Sequence, residues 1–176
     1  MTPPAAPADE AAPSTPGLAR RLTSFVYEGV LLFGVLMIAG IAFSSITGQR
    51  HALVGRHGLQ VFVFFVLGLY FTWFWTHGGQ TVAMKAWHIR VVDQRQAALT
   101  WPRAIVRYLL AWGWFAPALA VLAFTPLRSP GQVATVLLVG VLAYAGLARL
   151  HPQRQYLHDV LAGTRLITWR PPPPRR

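Results

Sequence analysis

A chain that contains Leu22–Ile46, an apolar run with one carboxylate, Glu28, inside it, has few folds open to it. A helix needs about 20 such residues to cross the ~30 Å hydrocarbon core of a bilayer. An ionisable side chain inside that core costs roughly 2.5–3.5 kcal/mol on insertion scales, so it requires a partner or a role. Side chains three, four and seven residues apart lie on one helical face, which puts Arg21, Ser24 and Glu28 in a single polar stripe. The stripe leads from the water boundary into the hydrocarbon.

Three further runs are of comparable length: Leu59–Trp75, Ile105–Phe124 and Val133–Leu150. The hydrophobic fraction of 54% and the five carboxylates in 176 residues agree with a membrane chain. The second run closes in aromatic residues (Phe71, Trp73, Phe74, Trp75), a girdle suited to the headgroup boundary. Pro117 predicts a kink in the third run. Gly40/Ser44 and Ala116/Ala120 are small-residue pairs that would let helices approach closely.

The net charge of +11 is a membrane signal here, because the basic residues flank apolar runs and accompany no nucleic-acid motif. Thirteen Lys and Arg fall at the N-terminal flank, the central loop and the C-terminal segment, against Arg50, Arg56 and Arg128 elsewhere. The positive-inside rule then places both termini and the central loop in the cytoplasm. The fold expected is all-α and membrane-embedded, with four transmembrane helices, a small cytoplasmic β-hairpin or sheet, and a short C-terminal interfacial helix. The sheet is expected from alternation over Ala86–Val92, a turn at Asp93–Gln96, a short return strand at Ala97–Thr100 and a β-rich Thr164–Trp169. Gln153–Ala162 reads as the short helix, stopped by Gly163. Residues 1–17 read as a disordered Pro/Ala-rich tail and residues 170–176 as a basic polyproline tail.

Three blocks resemble the RDD family of bacterial integral membrane proteins. They are Arg21 to Glu28 (Arg-Leu-Thr-Ser-Phe-Val-Tyr-Glu), Gly79-Gln80-Thr81 through Lys85 to Asp93, and Leu157-His158-Asp159 to Gly163-Thr164. They occur in the family's order over about residues 18–169. The chain departs from the pattern in having Glu28 where the family has Asp, Ala83-Met84 before Lys85, and no Gly in the turn after Asp93. The resemblance implies a polytopic inner-membrane protein, suggested for the family to act in transport of unidentified ligands.

The residues leave two readings of Glu28 open. It is either a protonatable or cation-binding carboxylate, or one half of a buried ion pair with Arg21 or Arg107. A direct Arg21 contact must bridge about 10.5 Å of helix rise. Arg20 is read as a topology anchor, and Asp93 as the end of a strand supporting a turn. Asp159 is expected to pair with Lys85, Arg107 or Arg165. His158 and Asp159, being adjacent, are expected to point apart and to hold no metal. No Cys is present, and no nucleophile elbow, phosphate loop or paired catalytic carboxylate appears, so neither an enzyme nor a cofactor is expected. The functional expectation is transport of a small ligand, or cation/proton exchange through Glu28, with a homo-oligomer enclosing the path. The alternative is a non-transporting adaptor that binds anionic lipid or a protein through the basic sheet at Lys85, Arg90 and Arg165.

Overall fold

The computed structural model describes residues 14–48 and 56–170. Helix α1 covers Leu18–Thr47 and ends where Gly48 adopts a left-handed conformation, φ +64°. Helix α2 covers Arg56–Thr76. A short helix α3, Val82–Ala86, follows, and it leads into strand β1, Ile89–Asp93. Helix α4, Trp101–Ala111, passes through a 3₁₀ turn at Trp112–Trp114 into α5, Ala116–Phe124. Helix α6, Pro130–Leu147, opens on a capping box in which Ser129 and Gln132 satisfy each other's backbone N–H groups. Helix α7, Leu157–Leu161, and strand β2, Thr164–Thr168, complete the described chain.

Three helices, α1, α2 and α6, are long and apolar enough to cross a membrane. The third expected run is a bent pair: α4 with its 3₁₀ turn meets α5 at 44°, and the two together pass as a fourth span. Pro117 sits in the first turn of α5. Lacking an N–H, it cannot donate to the carbonyl of Gly113, so a straight helix cannot run through this point. Large apolar side chains stay uncovered along these helices, among them Phe33 (67% exposed), Ile38 (71%) and Phe65 (67%). A contiguous apolar surface of that kind belongs against lipid.

The sheet forms between the loop strand and the expected C-terminal strand, without the expected return strand. Strand β1 pairs antiparallel with β2 in the register Val91↔Leu166, and the sheet has two strands. Residues 97–100 do not return as a strand, because the chain closes tightly around Asp93. Its backbone N–H donates to the Ala97 carbonyl (3.0 Å), and its Oδ1 accepts from the N–H groups of Arg95 and Ala97, each at 2.8 Å. The strand also begins at Ile89 rather than Ala86, since α3 occupies the preceding residues and His88 takes a positive φ of 53°.

Of the tail expected to be disordered, residues 1–13 lie outside the described residues, but residues 14–17 are engaged. Ser14 accepts a backbone hydrogen bond from Thr168 (2.8 Å), which pairs this segment with the edge of β2. The polyproline end from residue 171 onward likewise lies outside the described residues. Arg20 donates to the Thr168 hydroxyl at 2.8 Å, and Val91 N–H donates to the Gly79 carbonyl at 2.7 Å. The start of α1, the exit of α2 and the C-terminal strand therefore meet at one end of the helices. The buried core lies there, built from Trp75, Met84, Ile89, Val91, Tyr108, Trp114, Tyr156 and Leu166.

Candidate functional site

The polar stripe of α1 faces inward: Arg21, Ser24 and Glu28 are 5%, 5% and 7% exposed. The partners of Glu28 correct the ion-pair expectation. Neither Arg21 nor Arg107 forms a salt bridge with it. Instead the Tyr70 hydroxyl donates to Oε1 at 2.7 Å, and the buried Thr81 hydroxyl donates to Oε2. Thr81 also caps α3, accepting from the Met84 N–H at 3.2 Å. One hydroxyl thus ties a helix start to the membrane carboxylate.

Arg107 is drawn elsewhere. Its Nε donates to Asp159 Oδ1 at 2.8 Å and its Nη2 lies 2.7 Å from the same oxygen, with Asp159 wholly buried. The guanidinium also stacks over Trp75, 4.1 Å from the ring centre. Of the three cations expected for Asp159, Arg107 is the one that pairs; Lys85 is exposed at the surface. Arg90, on β1, packs its guanidinium over Trp169.

His158 and Asp159 do converge, against expectation, with Nε2 and Oδ1 3.5 Å apart. The reason is that the His158 ring stacks on Tyr144 and Tyr156 and is held from its other nitrogen. Tyr144 Oη lies 3.1 Å from His158 Nδ1 and accepts from the His158 backbone N–H. The hydroxyl proton then points at Nδ1, which leaves the ring proton on Nε2, facing Asp159. Burial pushes His158 down to about 4, with Asp159 opposing the shift. Burial pushes Asp159 up, but Arg107, His158 and the hydrogen bonds from Arg107 and Thr164 together hold it below the ordinary carboxylate value. The pair is a neutral imidazole beside an ionised carboxylate. Asp93 is also held low, chiefly by the Ala97 N–H, and Arg103 lies 3.1 Å from its Oδ2.

The second block proves architectural in its contacts. Gly79 has φ +73°, and a Cβ there would collide with the Val91 carbonyl oxygen. Only glycine brings the α2 exit this close to β1. Gln80 donates from Nε2 to the Ile89 carbonyl at 2.7 Å. Gly163, φ +64°, turns the chain from α7 into β2. Two contributors were missed in the sequence. Tyr70 is one of many aromatic residues in the second apolar run, and no spacing links it to Glu28. Gln155 pairs with Leu166 through its side chain, accepting at 2.9 Å and donating at 3.1 Å. It fell inside the helix expected over Gln153–Ala162, whereas the helix begins at Leu157 and leaves Gln155 free to pair with the strand.

Glu28 and Arg21 border a half-open cavity of about 520 Å³ between α1 and the α4–α5 bend. Its walls are otherwise largely apolar, with Phe71, Trp75, Tyr108 and Trp114 prominent.

Apolar helices of membrane length, joined at one end by a two-stranded sheet and a buried Arg–Asp pair, define a helical protein of membrane type. The RDD family matches residues 15–163, most of the chain, and the protein belongs to that family. No curated protein and no solved structure matches it.

Proposed function

We propose that the protein exchanges protons or a small cation across a bacterial inner membrane, with Glu28 as the group that takes up and releases the charge. One observation carries this reading: Glu28 is buried on a helix of membrane length, yet it is held by two hydroxyls and, among the described residues, by no cation. A carboxylate already paired with Arg has its counter-charge and must break that pair to accept another. Asp159 is such a group. Glu28 holds no counter-charge, and hydroxyl partners can accept from a protonated carboxyl as readily as they donate to an ionised one. In this reading both termini and the sheet face the cytoplasm, following the positive charge there. No catalytic chemistry is invoked.

The test is flux in proteoliposomes reporting internal pH, with insertion checked separately. Glu28→Gln is expected to abolish proton-coupled flux while the protein stays inserted and folded. Equal flux in wild type and variant would sink the proposal. The same assay separates the adaptor reading, under which the wild type carries no flux and charge reversal at Lys85, Arg90 and Arg165 removes binding to anionic vesicles.

A further inference from the structure

Three residues that line this cavity carry buried hydrogen-bond donors with no partner among the described residues: Arg21 at Nε and Nη1, Tyr156 at its hydroxyl, and Trp75 at Nε1. Arg21 is 5% exposed, and its guanidinium lies over the Tyr156 ring, 4.4 Å from the centre. The other charged groups on the cavity wall are already satisfied, Glu28 by its hydroxyls and Arg107 by Asp159. Arg21 and Trp75 can only donate, the Tyr156 hydroxyl can do either, and the Arg21 charge has no salt-bridge partner among the described residues. Together these call for an acceptor-rich, negatively charged group.

The rest of the cavity asks for something different. From Arg21 its wall follows α1 through Gly29 and Leu32 to Leu36, facing Leu67, Phe71 and Ala111. The fifteen helical steps from Arg21 to Leu36 rise about 22 Å, against a hydrocarbon half-thickness of ~15 Å. A bare anion would leave this apolar length unfilled. The volume of about 520 Å³ falls in the ordinary range for a small-molecule site.

We infer that this cavity binds an anionic amphiphile, its phosphate or carboxylate head at Arg21 and its acyl chain along α1 toward Leu36. A membrane phospholipid and a free fatty acid share that chemistry. The site is distinct from the exposed basic face of the sheet and does not rest on the exchange reading.

The experiment uses the full chain, purified in a neutral detergent, with binding read by native mass spectrometry and by the thermal midpoint. The probes are dioleoyl phosphatidylglycerol, sodium oleate, dioleoyl phosphatidylcholine and inorganic phosphate. Either anionic amphiphile is expected to bind and raise the midpoint, and which of them does so identifies the source. Phosphatidylcholine binding as tightly would overturn recognition of the anion. Inorganic phosphate competing at equal concentration would overturn the role of the chain. Arg21→Gln is expected to weaken binding at least ten-fold, and unchanged affinity would end the proposal. Should that variant fail to fold, Gly29→Leu decides the matter. A Cβ at Gly29 meets nothing within 4 Å, so the added side chain enters the open slot and should displace the acyl chain. Retained affinity in that variant counts against the site. Proton flux is read in a separate assay, so the two proposals fail separately.

Discussion

Among individual residues, Asp159 and Glu28, both buried carboxylates, are treated in opposite ways. Asp159 is charged, fully buried and paired to Arg107, so the pair must be kept whole, because one partner alone would be an uncompensated buried charge. Glu28 is buried between two hydroxyls and pairs with no cation among the described residues. His158 shows how the Asp159 cluster responds to pH. Its ordinary value is 6.5, and burial brings it to about 4 in the folded protein. Between those values the unfolded chain binds more protons than the folded one, so stability falls as pH falls from about 6.5 to about 4. The full difference is on the order of 3 kcal/mol. Unfolding followed from pH 7 to pH 4.5 should therefore show a slope that His158→Gln flattens; parallel slopes would contradict the assignment. The sequence showed His158-Asp159 as a pair of chemical interest, but not its state, because the stacking tyrosines arrive from residues 144 and 156 only after folding.

Among the helices, close packing falls where the sequence did not point. A Cβ added at Gly40, one of the expected small-residue contacts, would meet nothing within 4 Å, and Ala116 and Ala120 are exposed. The close approach is Gly140 on α6 against Ala118 on α5, where a Cβ would lie 2.7 Å from the Ala118 Cβ. Gly140→Ala should therefore cost about 1–3 kcal/mol through overpacking, while Gly40→Ala should be neutral or slightly stabilising. Thermal midpoints of the two variants in one detergent check this, and equal midpoints would refute it. Small-residue spacing recurs by chance along any apolar helix, so it cannot say which pair faces a neighbour. The bend at Pro117, by contrast, was legible, because a missing N–H acts locally whatever surrounds it.

Across the molecule, the start of α1, the α2–α4 connection and the C-terminal strand are drawn to one sheet. That arrangement predicts sidedness. The chain has no Cys, so single cysteines can be placed cleanly. Ser14→Cys, Gln94→Cys and Gln153→Cys, all at exposed positions of the sheet end, should label from one face of a sealed vesicle. Arg128→Cys, between α5 and α6, should label from the other. Labelling of Gln94→Cys and Arg128→Cys from the same face would show that the bent pair re-enters rather than crosses. The membrane class, the apolar runs, the polar stripe and the family were all readable from residue order, because periodicity, hydropathy and motif order are properties of neighbouring residues. The partners of Glu28 were not, and which of three expected cations pairs with Asp159 emerged only from the folded arrangement. Glu28 finds Tyr70 and Thr81, 42 and 53 residues away, and Arg107 finds Asp159 across 52. A buried charge takes whichever partner the packing of helices and sheet brings within about 3 Å, and no local pattern encodes that choice. The carboxylate that interrupts the first apolar run therefore declares itself in the sequence, while the company it keeps is a property of the fold.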